Sequence, residues 1–200
     1  MKIRKWEIVL AAVLVFVLGA SMRVSAQQRA LSDKLIRLHV VANSDSDTDQ
    51  AMKLQVRDAV LDTLSGLLSG VTDRDAAEKI IAAHIPQIEQ AASAAVRRAG
   101  GQYSVCARIA QENSPTKVYE TFALPAGAYT SLRVVIGSGG GHNWWCVLYP
   151  PLCTASALDS SSAAALTDDE IALITNGGGE YAVRFRCMEL LGKLRAWLER

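Results

Sequence analysis

The sequence predicts an α+β domain in which one strand and two helices precede a mainly antiparallel sheet of about four to five strands and a C-terminal helix. Three observations predict this order. Apolar residues alternate over residues 35–42, recur at helical spacing up to residue 99, and alternate again from residue 102. The chain has 200 residues and is 50% hydrophobic, which suits one domain with a substantial core.

The first 26 residues resemble a secretory signal peptide. A basic head precedes residues 8–20, an apolar run of thirteen residues that is short for a membrane span of about 20 residues. We expect export and cleavage after Ala26, which leaves residues 27–200 as a single exported domain. An uncleaved N-terminal anchor is the alternative, because Arg23 is atypical near a cleavage site.

The charge of the chain argues against a polyanionic partner. Residues 1–26 carry four cations and one anion, so their removal changes the formal net charge from +1 to −2. A near-neutral domain is not built to attract nucleic acid. No motif predicts a cofactor or a small-molecule ligand.

The first predicted strand and helix follow from periodicity. In "LIRLHVVA", residues 35–42, Ile36, Leu38 and Val40 point to one side, as expected of a strand. The polar "NSDSDTDQ" breaks the strand and favours a turn and a helix cap. Helix one is then expected from Asp47 to Leu68, with one apolar face made of Met52, Val56, Val60, Leu64 and Leu67.

Helix two is predicted from Asp73 to Ala99. Pro86 should kink or split it, because the proline ring clashes with the preceding turn. The two glycines after Ala99 end it. Its apolar face contains Ile81, Ile85, Ile88, Ala92 and Ala95.

The second half of the chain is predicted as a sheet and a last helix. Four strands are expected within "YSVCARIA", "KVYETFAL", "SLRVVIG" and "NWWCVLY", and the glycine-rich "SGGGH" between the last two reads as a flexible hairpin tip. A surface loop over residues 154–166, a short helix from Thr167 to Ile174 and a fifth strand in "YAVRFR" follow. The C-terminal helix begins by Cys187.

Three stretches resemble binding motifs but lack the residues or the spacing that those motifs require. "DSDTD" imitates a calcium loop, but the required glycine and glutamate are replaced by Gln50 and Val56. "GSGGGH" lacks the lysine and the helix of a phosphate loop. The spacings among His142, Cys146 and Cys153 do not match a zinc ribbon or finger. The sequence therefore predicts neither a metal site nor a catalytic residue.

The four cysteines leave two interpretations open. Pro150 and Pro151 favour a turn between Cys146 and Cys153 that would allow a disulfide, although sequence alone permits three pairings. Four reduced, partly buried cysteines are the alternative. An exported hydrolase or peptidase with Cys146 as nucleophile is the competing function. However, His142 would lie about 13 Å away along a strand, too far to act as its base.

"HNWW" is the candidate partner-binding surface. His142 and Asn143 follow the glycine-rich segment, and Trp144 and Trp145 should face opposite sides of a strand. One tryptophan can then enter the core while the other stays available as an interface anchor. Both could instead be core residues. The same surface could be extended by Arg37, Asn43 and Asp45, or the last two could only shape a turn.

Two long blocks carry a family resemblance. "IRLHVVANSDSDTDQAMKLQVRDAVL" and "LPAGAYTSLRVVIGSGGGHNWWCVLYPPLC" resemble stage II sporulation protein R of endospore-forming bacteria. The resemblance runs from about Leu35 to Cys153. One departure is Thr154-Ala155, where the family usually has an aromatic, an aliphatic residue and an aspartate.

The resemblance implies a signalling protein and not an enzyme. Such a protein is made in the forespore and exported into the space between the forespore and mother-cell membranes. There it triggers a membrane-embedded aspartic protease that cleaves the pro-sequence from the precursor of the mother-cell sigma factor E.

Overall fold

The structure, a computed structural model, describes residues 28–119, 122–151 and 166. The predicted signal peptide, the short helix after residue 166, the fifth strand in "YAVRFR" and the C-terminal helix lie outside the described residues. The predicted surface loop, residues 154–166, lies outside them as well except for Leu166, which is buried and not at the surface.

Four helices and six strands form the described part of the chain. Helix α1 covers residues 28–34, and the others are α2 (Asp47–Leu67), α3 (Arg74–Ala83) and α4 (Ile85–Arg98). The strands are β1 (Ile36–Val41), β2 (Val105–Ser114), β3 (Lys117–Val118), β4 (Ala123–Leu124), β5 (Gly127–Ile136) and β6 (Asn143–Tyr149). The predicted α+β class is confirmed. Helix α1 was not predicted from the sequence.

The main sheet has four strands in the order β2-β5-β1-β6. Strand β1 pairs parallel to β5 and antiparallel to β6, and β2 pairs antiparallel to β5. All six residues of β1 are buried, as expected of a central strand. The alternation of apolar residues predicted β1 as a strand. Its position between β5 and β6, which come much later in the chain, was not predicted.

That position corrects the prediction for the glycine-rich segment. Strands β5 and β6 are not hydrogen-bonded neighbours, because β1 lies between them. Residues 137–142 therefore cross over the end of β1 instead of closing a hairpin, and the hairpin-tip interpretation is wrong.

The stretch "KVYETFAL" also departs from its prediction as one strand. Only its ends are strands, and β3 and β4 pair with each other as a separate two-stranded sheet. Pro115, next to the end of β2, lacks the N–H that a continuing strand would need.

The helices behave largely as their sequence predicts. The Ser46 side chain caps α2 by accepting from the Asp49 amide, and Asp47 and Asp49 occupy the first turn. The predicted second helix is split at His84, and Pro86 lies in the first turn of α4.

One face of the main sheet, called here the first face, packs against α2, α3 and α4. Its core cluster contains Ile36, Leu38 and Val40 from β1 and the buried stripes of the three helices, including Val56, Val60, Leu64, Ile81 and Ile88. The opposite, second face is apolar at one end only. A smaller buried cluster there contains Leu31, Leu35, Phe122, Leu124, Tyr129, Val147 and Leu166.

Candidate functional site

The remainder of the second face is polar and contains the candidate site. Because side chains alternate along a strand, Arg37 and His39 of β1 point away from the helices. His39 is level with Arg133 of β5 on one side and with Trp145 of β6 on the other. Glu112 of β2 completes the group through its contacts with His39 and Arg133.

His39 is fixed on three sides. Its Nδ1 lies 2.9 Å from Oε2 of Glu112, and its Nε2 lies 2.9 Å from Oδ1 of Asn143. Its ring stacks on Trp145, with centroids 3.7 Å apart and planes 11° from parallel. The Glu112 carboxylate can only accept, so Nδ1 of His39 donates to it.

Glu112 bridges His39 and Arg133. Its second oxygen, Oε1, lies 2.7 Å from Nη1 of Arg133, so both carboxylate oxygens are engaged. The Glu112 side chain is largely buried, whereas that of Arg133 is 31% exposed. The Nε atom of Arg133 is buried and has no hydrogen-bond partner among the described residues. The guanidinium is thus only partly satisfied.

An open pocket of about 560 Å³ lies over this network. The described residues that line it come from all four strands of the sheet and from the glycine-rich segment. They are His39, Val41, Glu112, Asn113, Pro115, Arg133, Gly139, Gly141, Asn143 and Trp145. Its volume lies within the range of small-ligand pockets, and its lining is mostly polar.

Arg37 lies beside the pocket and is fully buried. Its guanidinium carbon is 5.0 Å from the centroid of Tyr129 and 4.9 Å from that of Trp145. Nη2 donates to the Tyr119 hydroxyl at 3.1 Å, while Nε and Nη1 have no hydrogen-bond partner among the described residues. Trp145 is therefore placed between Arg37 and His39.

Burial around Arg37 also affects the two phenols. Desolvation raises the pKa of Tyr129 and the pKa of Tyr119 above their usual value, and the nearby Arg37 charge only partly opposes this. The Tyr129 hydroxyl donates to the Pro125 carbonyl at 2.8 Å. Both phenols are neutral at physiological pH, so neither compensates the charge of Arg37.

The loop after β1 holds the glycine-rich segment against the end of the sheet. Oδ1 of Asn43 accepts from the Ser138 amide at 3.0 Å, and its Nδ2 donates to Asp49 at 2.9 Å. Asp45 accepts from the backbone and the ring of His142. Lys53 Nζ donates to the His142 carbonyl at 3.1 Å, and burial lowers the Lys53 pKa.

Two glycines are needed for this contact. Gly137 has a φ of +57°, and a Cβ there would overlap the Asn43 side chain. A Cβ at Gly141 would overlap the backbone carbonyl of Ser44. The two sequence blocks that carry the family resemblance therefore interlock in space.

The structure divides the predicted partner-binding residues into three groups. Arg37, Asn143 and Trp145 lie at the pocket or directly beneath it. Asn43, Asp45 and His142 form the loop contact, and the His142 side chain is 77% exposed. Trp144 lies on the first face, packed against the core with Arg57 4.9 Å from its ring. The two tryptophans do face opposite ways, but neither is an exposed anchor, since Trp145 is only 8% exposed.

Sequence reasoning missed His39, Glu112 and Arg133 as a site. The alternation of β1 could have placed His39 beside Arg37 on the non-core side. Nothing local indicates that Glu112 lies next to a histidine 73 residues earlier in the chain. The contact depends on β1 entering the sheet next to β5.

The cysteines bear on the competing hydrolase function. Cys146 is disulfide-bonded, buried, and part of the core cluster on the first face, while Cys106 is free. A bridged sulfur has no thiolate, and His39 lies on the opposite face, so the proposed Cys146 nucleophile is not available. Its disulfide partner lies outside the described residues, and the pairing with Cys153 stays a prediction.

The described residues show neither a metal-binding cluster nor a membrane-spanning helix. They contain no group of three or more histidine, cysteine or acidic side chains placed to hold a metal ion. None of their helices has the length and apolarity required to cross a bilayer.

Comparison with known proteins identifies the family. Residues 32–159 match the family model of stage II sporulation protein R. Over 113 residues, 56% of this chain, the sequence is 32% identical to stage II sporulation protein R of Bacillus subtilis (strain 168), and the match spans 50% of that protein, about half its length. No solved structure matches significantly. Because the family model covers more than half of it, the chain belongs to the stage II sporulation protein R family and has a role in sporulation.

Proposed function

We propose that this protein is an exported signal that passes between the two compartments of the sporulating cell. In this proposal it activates the membrane-embedded aspartic protease that processes pro-sigma-E in the mother cell. The observation that carries the proposal is the family match over residues 32–159. The apolar run at residues 8–20 and the basic head before it support export from the forespore.

The second face of the sheet is the surface that we propose contacts the protease. Its pocket presents Asn143 and Arg133 at the protein surface, over a rigid base of His39, Glu112 and Trp145. Rigid, pre-organised groups lose little entropy on binding, which favours their use in recognition. His142 lies next to Asn143 and extends the same surface.

Co-expression in a non-sporulating host tests the activator role. The full-length protein would be produced with the protease and its pro-sigma substrate, and conversion of the substrate would be followed by immunoblotting. We expect processing only when all three proteins are present. Processing without this protein would contradict the proposal.

The same assay tests the contact surface. Asn143→Ala removes an exposed amide at the rim of the pocket and should reduce processing. Arg97→Ala, on the exposed last turn of α4, is the control and should leave processing unchanged. Thermal midpoints of both variants must match that of the parent protein. Full processing by Asn143→Ala, or an equal loss in both variants, would place the contact elsewhere.

A further inference from the structure

The second face of the sheet carries more positive than negative charge. Arg108 of β2 is directly opposite Arg133 of β5, so the two side chains share a face. Like charges in directly opposed positions of an antiparallel pair are destabilising. Glu112 is the one carboxylate that forms an ion pair with Arg133 among the described residues, and it also binds His39.

The hydrogen bonds show the same imbalance. Among the described residues, the buried Nε atom of Arg133 has no hydrogen-bond partner, and two nitrogens of Arg37, beneath Trp145, have none either. A buried donor that lacks an acceptor costs about 1–3 kcal/mol, and more when it is charged. Among the described residues, this face therefore has an excess of donors and of positive charge, and Arg133 is the arginine that lines the pocket.

We propose that the pocket formed by His39, Glu112, Arg133, Asn143 and Trp145 is a binding site for a single carboxylate group. The carboxylate would lie between Arg133 and the Asn143 amide, above His39. It would supply the counter-charge that Glu112 alone does not provide to Arg108 and Arg133.

The wall of the pocket favours a ligand with a single negative charge. Glu112 is part of that wall, and its carboxylate repels a phosphate dianion more strongly than a single carboxylate. The apolar parts of the wall, Val41, Pro115 and Trp145, suit the short aliphatic chain that bears the carboxylate. A free small acid and an acidic side chain of a protein offer the same group. The inference does not depend on the proposed function, because it concerns binding by this protein alone.

Titration of the purified full-length protein tests the site. The probes are butyrate with its neutral counterpart butyramide, and the peptide acetyl-Gly-Glu-Gly-amide with its Gln counterpart. Binding is followed by tryptophan fluorescence and by amide NMR shifts. We expect saturable binding of the acids and at least tenfold weaker binding of the neutral counterparts. Stronger binding of butyrate would identify a free acid as the source, and stronger binding of the Glu peptide a protein side chain.

Variants link the binding to the pocket. Arg133→Gln should weaken binding of the acids at least tenfold, whereas Arg97→Gln, on the exposed end of α4, should not change it. If Arg133→Gln fails to fold, Arg108→Gln on the exposed edge of β2 is the test variant. We expect it to weaken binding of the acids about threefold. Three results would each overturn the inference: no saturable binding of either acid, equal binding of acid and amide, or tighter binding of inorganic phosphate than of butyrate.

Discussion

At the scale of single residues, Trp145 has contacts with both His39 and Arg37 through its ring. It stacks on His39, lies 4.9 Å from the guanidinium carbon of Arg37, and accepts through its carbonyl from the Tyr119 hydroxyl. The indole therefore links the polar pocket to the buried arginine. Its role is to position the charged groups around it.

Truncation of Trp145 should be costly. We expect Trp145→Ala to lower the free energy of unfolding by about 3–5 kcal/mol, as is usual for a buried aromatic. Trp144→Ala, at a partly buried position on the other face, should cost less. Denaturant midpoints measure both. A smaller loss for Trp145→Ala than for Trp144→Ala would contradict the assignment of the two faces.

Asp49 gives a pH-dependent prediction. Hydrogen bonds from Ser44, and then from Asn43, hold its pKa below the usual 3.8. A carboxylate whose pKa is lower in the folded state than in the unfolded state stabilises the fold at pH values above its unfolded-state pKa. This stabilisation is lost as the pH falls through the folded-state pKa. The difference in unfolding free energy between the parent and Asp49→Asn should thus narrow from pH 6 to pH 3. A constant difference over this range would show that the carboxylate charge contributes nothing.

At the scale of elements, the close contact between the β1–α2 loop and the glycine-rich segment explains why both are rich in small residues. Asn43 and Ser44 meet Gly137 and Gly141 where a side chain has no space. The backbone amides of Gly140 and Gly141 donate to the carbonyls of Asn43 and Ala42. The segment is fixed by these contacts, although its composition is typical of a flexible loop.

A pair of glycine variants tests this contact. Gly141→Ala should destabilise the protein by about 1–3 kcal/mol, because its Cβ would meet the Ser44 backbone. Gly66→Ala is the matched control in α2, where a Cβ meets nothing within 4 Å. It should stabilise the protein by about 0.4–1 kcal/mol through the unfolded state. Thermal unfolding of both variants gives the comparison, and equal midpoints would contradict the role of residue 141.

The sequence predicted those features of the fold that depend on residue spacing within a single helix or strand. The apolar stripe of α2, the break at His84 and the two faces of β1 follow from spacing and from Pro86. Sequence reasoning did not predict which strands β1 pairs with, because alternation specifies a face and not a neighbour. The His39–Glu112 contact depends on that pairing and was missed for the same reason.

At the scale of the whole molecule, the two faces of the sheet differ in their chemistry. The first face forms the main core with three helices, and the second face carries Arg37, His39, Glu112 and Arg133. Stability is thus concentrated on one side. The other side, supported by that core, can hold charged groups in fixed positions.

The disulfide of Cys146 attaches β6, a strand at the edge of the four-stranded order, to a residue outside the described part of the chain. We expect peptide mapping under non-reducing conditions to find Cys146 joined to Cys153 and Cys106 alkylated. Loss of the bond in Cys146→Ser should cost about 2–5 kcal/mol. A Cys146–Cys187 peptide, or an alkylated Cys146, would refute the predicted pairing.

The central position of β1 has a consequence for how the chain folds. Residues 36–41 are made early, yet their strand partners are residues 130–135 and 143–149. In a chain that emerges N-terminus first, β1 has no strand partner until most of residues 28–151 have emerged. Pairings between residues so far apart in the sequence slow folding. The helices α2 to α4 can form locally during this interval, but the four-stranded sheet cannot. The polar pocket draws on all four strands, so it cannot form before both β5 and β6 have paired with β1.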